Sequence, residues 1–329
     1  MKLLIALYHP FPLWTAPDWL APRLHSDFPD ITVTQLPGPR YEGIEREIAD
    51  ADACIAWSIR PEQFAHATKL GWVHSPAAAV HQLMFPEMVA SNVVVTNARD
   101  VHGPVVAEHA IAVMLALAKR LPSAMRFQRA RTWGQQAMWA EEPTIGEVND
   151  AKIVLIGLGS IGREFVKRAR ALGAHVTAVR EHPERGAERA DAVAGMNELE
   201  RLLPEADFVV LAAPLTERTR NLIDRERLAM MKDSAYLINV GRGPLIDDEA
   251  LVAALEAEEI AGAALDVFAE EPLPAPSPYW DLPNVLLTPH TAAVTPKLWD
   301  RHYAQISANL RRFLQGEPLE GVVDKKQGY

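Results

Sequence analysis

The stretch that most restricts what this chain can fold into is KIVLIGLGSIG, residues 152–162. An apolar run starting at Ile153 ends on the glycine pattern Gly157, Gly159, Gly162, and residues 163–172 follow with helical spacing. Ile161, Phe165, Val166 and Ala169 fall on one side of that helix. A glycine triplet alone also fits an ordinary βα turn. Placed between a strand and a helix it is a dinucleotide-binding fingerprint. Each glycine has a task there: Gly157 permits the turn, Gly159 lets a pyrophosphate approach the backbone, and Gly162 lets helix and strand pack closely. The free N–H groups at the helix start then face the phosphate charge.

With 329 residues the chain is long for one domain, and two are expected. In the first 95 residues, short apolar runs (3–8, 31–34, 53–58, 72–73 and 93–96) alternate with polar or helical stretches, as in βαβ units on a small parallel sheet. Proline-rich segments at 10–22 and 36–40 read as loops. After residue 152 the alternation becomes regular, with strands at 175–179, 207–212, 235–240, 261–267 and 285–288 and helices at 197–203 and 247–258. The expected fold class is α/β: two doubly wound parallel-sheet domains, a flavodoxin-like substrate domain and a Rossmann cofactor domain. The first is assigned residues 1–100 plus about 296–329, since a last helix at 296–314 can return to it. Residues 101–295 form the second.

Residues 105–121 read as one long, mostly apolar, buried helix stopped by Pro122. Residues 126–147 carry Trp133 and Trp139 without clear periodicity, and are either an arm to a second subunit or a local loop. The formal net charge of −10 argues against a nucleic-acid-binding face or a polybasic membrane patch, though not against a small anion at a local positive site. Cys54 is the sole cysteine, so there is no disulfide framework and no thiolate metal cluster. His74 and His81 lie seven apart with no third ligand near in sequence, so no metal is expected. The opening MKLLIALYHPFPLW reads as a first strand rather than a signal peptide, and no apolar run reaches membrane-spanning length. The cytoplasm is the expected compartment.

Four residues at strand ends carry the chemistry. An NAD site needs an acid at the end of the second strand, to accept from the ribose 2′-OH; here Arg180 stands in that place. A guanidinium suits a 2′-phosphate, which favours NADP(H), with NAD(H) still open if Glu181 takes the acidic role. Arg242 follows the strand LINV, Glu271 follows ALDV, and His290 follows VLLT. Singly each has a bland reading. Together an Arg, a Glu and a His at the carboxyl ends of one sheet can converge on one crevice.

With these residues in view, the chain resembles the D-isomer-specific 2-hydroxyacid dehydrogenases. The resemblance rests on GLGSIG (157–162), INVGRGPLID (238–247), ALDVFAEEPLP (264–274), SPYWDLPNVLLTPHTA (277–292) and VVVTNARDVHGPVVAEHA (93–110). It implies a catalytic triad of Arg242, Glu271 and His290. Arg242 would clamp the substrate carboxylate and polarise its carbonyl. His290 would give and retake the proton on the developing alkoxide, and Glu271 would fix its tautomer and favour its protonated form. The resemblance further implies cofactor contacts at Ser160, Ile161, Ala213, Pro214, Val240, Gly241 and Ala292, with Asp266 at the nicotinamide end, and a homodimer.

The family's substrate loop, usually glycine-rich, here reads Ser75-Pro76-Ala77-Ala78-Ala79-Val80-His81. Ala77, Ala78 and Ala79 would offer backbone N–H groups to a carboxylate, but with less backbone freedom than glycine. The implied activity is NAD(P)H-dependent reduction of a small 2-oxo acid of the glyoxylate or hydroxypyruvate type. Alternatives are a dehydrogenase of another 2-hydroxy acid, such as phosphoglycerate, and a non-catalytic dinucleotide sensor on the same fold.

Overall fold

The computed structural model describes residues 1–36, 38, 43–78 and 80–326. The chain divides into two compact units, one of Met1–His102 with Val294–Tyr329 and one of Gly103–Ala293.

The first unit holds β1 (Lys2–Ala6), β2 (Thr32–Gln35), β3 (Ala53–Ala56), β4 (Trp72–Ser75) and β5 (Val94–Asn97), all parallel in the order β2-β1-β3-β4-β5. That is the flavodoxin-like order. β1 from Leu3 onward and β3 are apolar at every position, as expected where both faces of the sheet are covered, while the edge strand β2 (Thr-Val-Thr-Gln) is not. Leu4, Cys54, Val73 and Val95 enter the core on one face. Leu3, Ile5, Ile55 and Trp72 enter the other, where Trp299, Tyr303, Ile306 and Leu310 of the Leu298–Gln315 helix pack on them. The proline-rich loop expected at 10–22 is partly helical. Pro12–Trp14 forms a 3₁₀ turn, and the Leu20–Asp27 helix takes Pro22 into its first turn, where a missing N–H costs nothing. The loop expected at 36–40 falls largely outside the described residues.

The second unit is built on β6 (Lys152–Ile156), β7 (His175–Val179), β8 (Ala192–Ala194), β9 (Phe208–Leu211), β10 (Tyr236–Asn239), β11 (Gly262–Leu265) and β12 (Val285–Leu287). Their parallel order, β12-β11-β10-β9-β6-β7-β8, is the Rossmann order with one strand added. The strand order reverses between β6 and β9. There Ile156 is in register with both Val179 and Leu211, so three strands end level at the switch point. Ligands of such sheets bind in the crevice beyond these ends.

Two expectations change in this unit. The long helix covers Gly103–Ala118, and Pro122 opens a second helix, Leu121–Arg129, instead of closing the first. Proline at the second helical position lacks only an N–H that would have no partner there. Residues 126–147 are accordingly not irregular throughout, since Gln135–Trp139 is helical as well. The strand β8 was not expected; it pairs Ala192–Ala194 with Thr177–Val179. Among the described residues no helix is long and apolar enough to cross a membrane.

Candidate active site

The glycine turn joins β6 to the Ser160–Ala171 helix. Gly157 has φ +103°, and a Cβ there would lie 2.7 Å from the backbone of Ala212 and Ala213. At Gly162 a Cβ would lie 2.2 Å from the Gly157 carbonyl oxygen. Both positions therefore exclude a side chain. A Cβ at Gly159 would meet nothing within 4 Å, so the space over the helix N-terminus is open. Tight turn, close helix packing and an open approach to the helix N-terminus are what a pyrophosphate requires. The helix is held from beneath by Phe165, Val166 and Ala169; burying a side chain the size of Phe165 contributes about 1.5–3 kcal/mol.

Arg242 follows β10 in a loop shaped by Asn239, a fully buried residue that the sequence reading did not single out. Its amide nitrogen donates to the Arg242 carbonyl at 2.9 Å, and its amide oxygen accepts the Gly241 N–H at 3.0 Å. Arg242 Nη1 donates to the Gly241 carbonyl at 2.6 Å. Burial lowers the affinity of this guanidinium for its proton, and the Glu271 charge opposes that shift. Gly243 brings this loop against the next one. A Cβ at Gly243 would lie 1.9 Å from the Phe268 carbonyl carbon. Gly243→Ala is expected to force the loops apart and cost roughly 1–3 kcal/mol, read as a lower thermal midpoint with a lower kcat. An unchanged midpoint and kcat would contradict this packing.

Glu271 closes the loop after β11. Its Oε1 accepts the Phe268 N–H at 2.9 Å, and its Oε2 lies 2.6 Å from His290 Nδ1. Burial works to raise the Glu271 carboxyl. The hydrogen bonds from His290 and the Phe268 amide, with the charges of His290 and Arg242, outweigh it and hold the carboxyl below its ordinary range. The three residues expected to converge therefore interact within one unit, at the ends of β10, β11 and β12.

His290 follows β12 with φ +52°, a left-handed conformation that costs a non-glycine residue about 1–2 kcal/mol. Asp266 holds it there. The Asp266 carbonyl accepts the His290 N–H at 2.9 Å, Oδ1 accepts the Thr291 N–H at 2.9 Å, and Oδ2 accepts the Ala292 N–H at 3.0 Å. Thr288 Oγ1 adds a bond to Oδ1 at 2.6 Å, and His109 Nε2 lies 3.1 Å from Thr288 Oγ1. Asp266 is only 2 % exposed. Thr288 and His109 were likewise missed as site residues; their one sequence signal is a polar side chain in an otherwise apolar setting.

The other expected contacts lie around the same strand ends. Ala213 and Val240 are buried after β9 and β10, while Pro214 is exposed. Arg180, just after β7, is 15 % exposed, and its Nη1 lies 3.3 Å from both Glu188 Oε1 and the Gly186 carbonyl oxygen. Glu188 also lies 3.6 Å from Arg163 Nε, and Glu181 pairs with Arg218. In the first unit, the Ala77 N–H donates to Ser75 Oγ at 3.2 Å, and the Ala78 carbonyl accepts from Asn97 Nδ2 at 2.7 Å. The Ala77 amide is thus already engaged; Ala79 lies outside the described residues. His74 is fully buried, its imidazole pushed down to about 3 by burial, with Nδ1 2.9 Å from Thr96 Oγ1. Among the described residues no three His, Cys, Asp or Glu side chains are grouped as metal ligands.

Residues 111–292 match the family model described as D-isomer specific 2-hydroxyacid dehydrogenase, NAD binding domain. A glyoxylate reductase of Pyrococcus furiosus is 33 % identical over 293 residues, covering 88 % of this chain and 86 % of that protein. A D-3-phosphoglycerate dehydrogenase of Methanocaldococcus jannaschii is 32 % identical over 293 residues, covering 87 % of this chain but 54 % of that longer protein. Among solved structures, the NADPH-dependent glyoxylate/hydroxypyruvate reductase of Sinorhizobium meliloti, in complex with NADP and sulfate, superposes with a TM-score of 0.81 at 25 % identity, covering 100 % of this chain and 99 % of that one. The chain belongs to the D-isomer-specific 2-hydroxyacid dehydrogenases and is an oxidoreductase of that family.

Proposed function

We propose that the protein reduces a small 2-oxo acid of the glyoxylate or hydroxypyruvate type to the D-2-hydroxy acid, with NADPH as its preferred cofactor. The observation that carries this reading is the 2.6 Å bond between His290 Nδ1 and Glu271 Oε2, with the half-buried Arg242 close enough for its charge to act on Glu271. Residues 157–162, with Arg180, Ala213, Pro214, Val240, Gly241, Asp266 and Ala292, would hold the dinucleotide, which when bound supplies the hydride for the substrate C2. Arg242 binds the substrate carboxylate and polarises the 2-oxo group, where charge accumulates as reduction proceeds. His290 uses Nδ1 on Glu271, which leaves Nε2 to donate the proton that neutralises the alkoxide oxygen. In the reverse direction the same nitrogen takes that proton back.

The names of the relatives support glyoxylate first, and the M. jannaschii relative keeps phosphoglycerate as the second reading. The test is a matrix of NADH and NADPH against glyoxylate, hydroxypyruvate, pyruvate, bulkier 2-oxo acids and 3-phosphohydroxypyruvate. Turnover with the small acids is expected. Turnover confined to the phosphorylated acid would move the assignment, and none in any combination would favour a dinucleotide sensor.

The NADPH preference is carried by Arg180. A 2′-phosphate must draw its guanidinium away from Glu188, a partly exposed pair of the kind worth about 0–1 kcal/mol, which a charge-assisted phosphate contact can outbid. Arg180→Asp is expected to shift the ratio of kcat/KM for NADPH over NADH by about 10–100-fold toward NADH, as loss of one charged contact predicts. Glu188→Gln should lower the KM for NADPH. A wild-type enzyme that already prefers NADH would overturn the Arg180 assignment. We further propose a homodimer, supported by the number of large apolar side chains exposed between residues 121 and 139: Leu121, Met125, Trp133 at 90 % and Trp139 at 71 %.

A further inference from the structure

Resting on the reading of His290 as the acid/base group, we propose that His109 and Thr288 are positioning residues, a two-bond relay onto Asp266 that sets where His290 stands. His109 lies on the Gly103–Ala118 helix, the first element of its unit, and residues 290–292 form the last loop before the chain leaves that unit. The relay ties these two segments together across 179 residues of sequence.

The direction of the relay follows from counting protons. Asp266 Oδ1 accepts the Thr291 amide and Oδ2 accepts the Ala292 amide, so the carboxylate acts as acceptor at both oxygens. At 2.6 Å from Oδ1, Thr288 must therefore spend its single hydroxyl proton on Asp266. Its lone pairs remain, and the group 3.1 Å away on that side is His109 Nε2. His109 thus carries its proton on Nε2, donates it to Thr288, and is fixed in one tautomer. Burial pushes the His109 imidazole below its usual range, against the pull of Asp266 3.7 Å away, which keeps the ring neutral and the relay in this polarity near neutral pH.

The consequence for His290 is geometric. A residue at φ +52° stays there only if its surroundings over-determine it. Asp266 supplies that constraint through its carbonyl to the His290 amide and its carboxylate to the next two amides. The carboxylate plane is in turn set by Thr288, whose hydroxyl is oriented by His109. Without the His109 donor, Thr288 is free to rotate and the Asp266 carboxylate loses one of the three hydrogen bonds that fix it. The imidazole then samples positions from which proton transfer is slow, although neither His109 nor Thr288 touches the reacting atoms.

The test compares His109→Leu with His109→Gln, and Thr288→Val with Thr288→Ser, in the full chain. Gln can still donate to Thr288 and Ser can still bridge; Leu and Val cannot. Two readouts are taken: the ring signals of His290 in an NMR spectrum with labelled histidine, assigned by their loss in His290→Ala, and the pH profile of kcat with the best substrate. His109→Leu and Thr288→Val are expected to displace or broaden the His290 ring signals. They should also lower kcat about 5- to 30-fold, in line with the cost of a sub-ångström misplacement, and move its pH profile, with the cofactor KM nearly unchanged. Gln and Ser should restore both readouts. Unchanged His290 signals in the Leu and Val variants, or no recovery with Gln and Ser, would overturn the proposal. The NMR readout does not depend on His290 being catalytic. If His290→Ala turned over normally, the acid/base reading would fail while the spectra still decided whether His109 and Thr288 position this loop. Should His109→Leu fail to fold, the Thr288 pair carries the test.

Discussion

Replacing His290 by alanine is expected to lower kcat by about 10²–10⁴-fold near neutral pH, the usual worth of a positioned general acid. The imidazole is 45 % exposed, so little packing is lost and the fold should survive. Glu271 loses the hydrogen bond and the positive charge that hold its carboxyl low, so the carboxyl should rise toward the ordinary range. Dinucleotide affinity, followed by quenching of tryptophan fluorescence, should change little, since the glycine turn and its helix amides lie on β6 rather than β12. Normal turnover in this variant would remove His290 from the reaction.

Arg242→Ala is expected to lower kcat/KM for the 2-oxo acid by about 30- to 5000-fold, because truncating a charge that pairs with a buried ionic partner costs about 2–5 kcal/mol. Most of the loss should appear in KM, with a further loss in kcat if the guanidinium also polarises the carbonyl. Arg242→Lys should recover only part of this, since an ammonium grips a carboxylate as a point charge and not as a fork. The pH dependence gives a second check. The Arg242 charge helps hold the Glu271 carboxyl low, so in wild type Glu271 stays ionised as pH falls. Without Arg242 the carboxyl rises, and activity on the acid side should be lost at a higher pH. An unchanged KM, kcat and acid limb would exclude Arg242 from the site.

What the sequence disclosed, and what it withheld, follow from where each interaction closes. Strands β6, β9 and β10 are legible because both faces are buried, which writes four apolar residues in a row at Ile153–Ile156, Phe208–Leu211 and Ala235–Ile238. β8 has three residues and only Ala194 fully buried, too short a run to distinguish from a loop. Pro122 misleads because proline ends one helix and starts another equally well. Arg242, Glu271 and His290 are legible as ionisable residues in the loops that follow buried or partly buried strands. Asn239 is masked by the strand that contains it, and His109 by its apolar helix; the partner of His109 is 179 residues away. Local periodicity reports burial. It does not report which buried polar groups meet.

The measurement that bears most directly on the central claim is the fate of deuterium carried at C4 of the nicotinamide of NADPH, with hydroxypyruvate as substrate and the two C4 faces labelled in separate experiments. The account predicts D-glycerate bearing deuterium at C2 from one face only, with the signal lost in His290→Ala. Glycerate without deuterium, deuterium in the L-isomer, or full transfer in the absence of His290 would contradict it.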